Sequence, residues 1–227
     1  MTKIHSKDQA KTTFSLKPKT VLALSGVLVL IGMMAFNYFN PFSSYDYAYT
    51  ENNVTLYSNG LTPLNALNDL SIKPEFVLVA RAERQTDIQG ITNFLTLFSE
   101  VGTANGKKVT AVIETYDQNL VLVECNTNKG QEKGGETLPA QECRDYVSSL
   151  RGSDKGVILL DHPEKSLNPY VIISPGLVRI VVRTKTAIVG EGSEVEAATM
   201  VVLRHLYSNT DEVLKKVARF SNLVQQR

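Results

Sequence analysis

At 227 residues, with 43% apolar and 21% charged side chains, the chain has room for one ordinary domain and an accessory segment. That balance excludes a disordered chain and a multi-span membrane protein, and no fixed-period repeat argues for a solenoid or propeller. The net charge of +1 hides an asymmetry: residues 1–20 hold five lysines against one aspartate, a net of +4 that leaves −3 on the remainder, so the body lacks the cationic footprint a nucleic acid partner requires.

Val21 to Phe39 carries no charge. At about 1.5 Å per residue this stretch makes a helix of roughly 28 Å, close to the thickness of a bilayer's hydrocarbon core. Phe36, Tyr38, Phe39, Phe42 and the tyrosines at 45, 47 and 49 follow the apolar centre, where amphipathic rings favour the headgroup level. Five lysines precede the segment and no Lys or Arg follows it until Lys73, so the lysine-rich side is expected to stay in the cytoplasm and the rest to be translocated. A cleaved secretory signal is the rival reading, but the apolar run is too long and no small-x-small cleavage site follows it. The expected organisation is a basic cytoplasmic tail over 1–20, a single transmembrane helix over 21–39 with the lipid bilayer as its partner, a stalk over 40–52, and an extracytoplasmic α/β domain over 53–227.

Asn53-Val54-Thr55 is a glycosylation sequon, and also an ordinary turn. Val54–Tyr57 reads as a short strand and Pro63–Leu70 as a helix, followed by the buried-type strand Phe76–Ala80. Thr86 and Gln89 fit a capping box, and Ile91, Leu95 and Phe98 share one helical stripe. Lys108–Thr115 and Leu120–Cys125 read as strands, 126–136 as a polar loop, and 139–150 as a helix with proline in its first turn. Val157–Leu160 is another buried-type strand, and Tyr170–Ser174 and Leu177–Arg183 flank the hairpin signal Pro175-Gly176. Two helices close the chain, one capped at Ser193 with a stripe through Val195, Ala198, Thr199, Val202 and Leu206, the other capped at Asn209. Strands alternating with helices predict crossover units, and the hairpins predict a mixed sheet: a three-layer α/β domain.

Cys125 and Cys143 are the only cysteines, and an even count in an oxidising compartment favours a disulfide between them. The alternatives are a redox pair, which the lack of C-x-x-C spacing weakens, and a nucleophilic Cys125. Asp161-His162-Pro163-Glu164 follows the Val157–Leu160 strand directly, and ligands gather at the carboxyl ends of strands in α/β sheets. If neighbouring strands point the same way, Cys125 and His162 form a thiolate–imidazole pair oriented by Asp161, with Arg81, Glu83 and Arg84 also near strand ends; a polar turn explains the same residues. Asp161, His162 and Glu164 are too close together on an extended chain to face one metal ion. His205 falls off its helix's apolar stripe and reads as solvated. Gly190-Glu191-Gly192 lacks the third glycine of a dinucleotide fingerprint, so no cofactor is expected. The reading favoured by the sequence is a non-enzymatic binding or assembly module with a protein or small-molecule partner; an anchored enzyme using Cys125, His162 and Asp161 is the alternative.

Overall fold

The computed structural model describes residues 44–83, 88–128, 135–150, 152–161, 168–182, 194–217 and 220. The apolar segment 21–39, the cap residues Thr86 and Ser193, and the candidates His162 and Glu164 lie outside them. Among the described residues no helix is long and apolar enough to cross a membrane.

Residues Tyr45–Arg227 form one compact unit built on a mixed nine-stranded sheet with order β1-β2-β8-β9-β7-β3-β4-β5-β6. The strands are β1 (Tyr47–Glu51), β2 (Val54–Ser58), β3 (Glu75–Glu83), β4 (Lys108–Tyr116), β5 (Leu122–Thr127), β6 (Glu136–Pro139), β7 (Gly156–Leu160), β8 (Tyr170–Ser174) and β9 (Leu177–Val181). The helices are α1 (Pro63–Ser71), α2 (Ile88–Ala104), α3 (Ala140–Ser149), α4 (Glu194–Leu206) and α5 (Thr210–Lys215). The centre, β9-β7-β3-β4, is parallel throughout, and the antiparallel pairings flank it.

Alternation along β3 divides the interior. Phe76, Leu78 and Ala80 belong to a core shared with α1, α2, α4 and α5, whereas Val77 and Val79 belong to a smaller one shared with α3. Helices therefore lie on both faces, four on one and α3 on the other. Nine residues of α4 are buried, including Ala198, Val202 and Leu203, but within α3 only Cys143 is.

Two elements depart from the sequence reading. Tyr47–Glu51, inside the span assigned to a stalk, is the edge strand β1, paired antiparallel with β2 in the register Glu51↔Val54. The connection is the two residues Asn52 and Asn53, both at positive φ (49° and 62°), the backbone that a type I′ hairpin demands and that asparagine tolerates. Asn53 of the sequon is thus an exposed hairpin apex. Glu136–Pro139, inside the span read as loop and helix start, is the edge strand β6. Its Pro139 then serves as the α3 N-cap without a side-chain cap bond. Asn209 also makes no cap bond; its side chain instead accepts from Asn105 at 3.0 Å, joining α5 to the end of α2.

Candidate functional site

The register of the parallel centre brings distant charges together. Arg81 on β3 stands opposite Glu114 on β4, and Ala80 pairs with Leu160, so Asp161 follows immediately beside Arg81. Alternation puts Arg81 on the face of Val77 and Val79, Glu114 on that of Val112, Asp161 on that of Leu159, and Arg179 of β9 on that of Leu177. All four are on the α3 face, at or near the carboxyl ends of their strands.

They form a continuous ion-pair row. Arg81 donates from Nε to Glu114 at 2.9 Å and from Nη1 to Asp161 at 2.8 Å. Arg179 donates from Nε to the second oxygen of Asp161 at 2.9 Å and from Nη2 to that same oxygen. Tyr116 donates its hydroxyl to Glu114 at 3.0 Å. The carboxylates are the inner layer, Glu114 and Asp161 retaining 3% and 6% exposure, while Arg81 and Arg179 retain 27% and 38%. Carboxylates so deeply buried need partners, and each has a guanidinium.

Burial, the largest single effect on Arg81, would lower its pKa, but the charge and hydrogen bond of Asp161 and the charge of Glu114 outweigh it and the net shift is upward. Burial and then the charge of Glu114 push the Tyr116 hydroxyl up to about 12, against the opposing pull of Arg81.

Cys125 and Cys143 are joined as a disulfide with Cα atoms 5.9 Å apart, linking β5 to α3, and both residues are fully buried. Cys125 pairs with Glu114 across the β4–β5 ladder, in mid-strand rather than at a strand end. As a disulfide it offers no thiolate. Asp161, the carboxylate read as an imidazole orienter, is bonded by two arginines. His162 lies outside the described residues. Among the described residues no group of three His, Cys, Asp or Glu is placed to hold a metal ion.

His205 is not a solvated helix residue. Its Nε2 meets Glu51 Oε2 at 2.8 Å and its ring sits edge-on to Tyr49 at 5.8 Å, so it ties α4 to β1.

Sequence reasoning singled out Asp161 and Arg81 but missed Glu114, Tyr116 and Arg179. The available signal was periodicity: in KVTAVIETY, Glu114 falls two residues after the inward Val112, and in LVRIV, Arg179 shares a face with Leu177. A charge in phase with the apolar face of a strand needs a partner there. Comparison with protein-family models, with curated proteins and with solved structures finds no match for this chain.

Proposed function

We propose that this chain is an extracytoplasmic binding or assembly module, tethered to a membrane by residues 21–39 with the lysine-rich residues 1–20 in the cytoplasm. The observation that carries the reading is the Cys125–Cys143 disulfide, buried in an α/β domain. Such bonds persist in oxidising compartments and are rare where thiols are kept reduced. The uncharged stretch and the lysine imbalance across it supply the tether and its direction. A binding role is favoured over catalysis because the strand-end groups hold one another: both carboxylates are paired with guanidinium and the cysteine thiol is spent in a cross-link.

Protease added to intact cells, or to spheroplasts if a wall intervenes, tests the placement. The domain is expected to be digested without lysis, and alkylating reagent is expected to label neither cysteine until a reductant is added. A domain that resists until lysis, with both thiols labelled in the denatured unreduced protein, overturns the placement.

A further inference from the structure

The chain leaves β3 and β7 in opposite directions across the sheet. From β3 the chain passes through α2 to β4 on one side, whereas β8, the strand that follows β7 in the chain, stands on the other side beyond β9 and antiparallel to it. Neighbouring parallel strands whose connections diverge in this way define a topological switch point, and the carboxyl ends at such a point are where open α/β sheets bind ligands. Here β3 and β7 are those neighbours, and their carboxyl ends carry Arg81 and Asp161.

The chemistry there is asymmetric. Asp161 and Glu114 are nearly closed to solvent, whereas the two guanidinium groups above them are partly open. The inner carboxylates orient the arginines and leave N–H groups as the outward layer. Arg81 uses Nε and Nη1, and Arg179 uses Nε and Nη2. Among the described residues Arg81 Nη2 and Arg179 Nη1 have no hydrogen-bond acceptor. Two guanidinium groups fixed on the opposite oxygens of one aspartate thus retain one donor nitrogen each, and their rotamers are already held, which removes part of the ordering cost of binding.

We infer that the carboxyl ends of β3, β7 and β9 form a recognition site for a carboxylate group, held between Arg81 and Arg179 with Asp161 as the positioning residue beneath them. A monoanion suits the site better than a phosphate dianion. Asp161 and Glu114 lie beneath the two arginines, so a dianion would meet more repulsion from them than a monoanion. Guanidinium groups also match the planar geometry of a carboxylate. The inference rests on the binding reading given above and not on the membrane placement.

Isothermal titration of the full chain in detergent, at constant ionic strength, tests it with acetate, inorganic phosphate and chloride as probes. Saturable binding of acetate in the millimolar range is expected, with phosphate at least ten-fold weaker and chloride giving none. A short peptide with a free terminal carboxylate, compared with its amide, separates a peptide end from a small organic acid as the source of the group. Arg179→Gln should weaken acetate at least ten-fold while keeping the cooperative unfolding of the parent, because Asp161 retains Arg81. Arg179→Lys should restore part of the loss. Absence of saturable acetate binding by the parent, or binding unchanged in Arg179→Gln, overturns the site even if the protease experiment supports the placement; a domain found in the cytoplasm with acetate bound overturns the placement and leaves the site standing.

Discussion

Asp161 carries more of the strand-end row than any other side chain, because both of its oxygens are bound and its neighbours depend on it in opposite directions. Replacing it with asparagine leaves two guanidinium groups beside one another with no charge between them. The expected cost is about 3 kcal/mol, near the lower end of what breaking a buried pair costs, since the arginines keep some solvent. Arg179→Gln should cost no more than about 1 kcal/mol, the pair being partly exposed on that side and Asp161 still bonded to Arg81. Urea unfolding of both variants checks the order; equal costs would show that the row is a surface feature. Tyr116 gives a second residue-scale test. Its pKa, pushed up to about 12 from the ordinary 10.0 by burial and the charge of Glu114, means the fold favours the neutral phenol. The sign follows: the stability held by this group is intact below the ordinary value and is lost as pH rises through the folded one. Tyr207, raised by burial to about 12, behaves in the same direction. Absorbance at the tyrosinate band should therefore show at least two late-titrating groups, with stability falling between pH 10 and pH 12. A titration complete near the ordinary value would contradict the burial of both hydroxyls.

Among the elements, α3 and α4 make the instructive contrast. The α4 stripe expected from Val195, Ala198, Thr199, Val202 and Leu206 is buried along with four further residues, so the helix is enclosed and its burial sustains it. The opposite holds for α3: it has no side-chain cap and buries only Cys143 along its length, with Leu150 beyond its end. What fixes it is the bond to Cys125 on β5, closing a loop of 18 residues. On the chain-entropy model that closure contributes about 3 kcal/mol. Replacing both cysteines by alanine should lower stability by about that amount and speed amide exchange in α3 far more than in α4. Uniform acceleration across the two helices would mean that the cross-link acts only through the unfolded chain. Elements of this central kind were legible: long apolar periods announced β3, β7, α2 and α4, and the Pro175-Gly176 hairpin is present, with Gly176 at φ 72°. The site was legible only as far as single strands allow. Asp161 directly follows β7 and Arg81 stands two residues before the end of β3, but Glu114 meets Arg81 through strand order, which local sequence does not encode.

At the scale of the whole molecule the least legible feature was where the domain begins. Tyrosines at 45, 47 and 49 resembled an interfacial belt because they follow an apolar stretch, yet their spacing of two is equally that of a strand. The structure places Tyr47 and Tyr49 in β1, with Tyr45 two residues before it. Tyr45 stacks on Tyr57 with ring centres 5.4 Å apart, β1 pairs with β2 along its full length, and Glu51 and Tyr49 hold His205 of α4. A fragment over 44–227 should therefore fold with a single cooperative transition. One over 53–227, the boundary suggested by the sequence, loses those contacts and bares the β2 edge. Cross-strand pairs contribute a few tenths of a kcal/mol each, so the shorter fragment should be less stable by about 2 kcal/mol. An uncovered strand edge is also a template for self-pairing, so it should associate at concentrations where the longer one stays monomeric. Sedimentation and thermal unfolding of the two fragments decide the matter. Should they prove equally stable and equally monomeric, β1 is an extension laid on a finished domain, and the sheet ends in substance at β2.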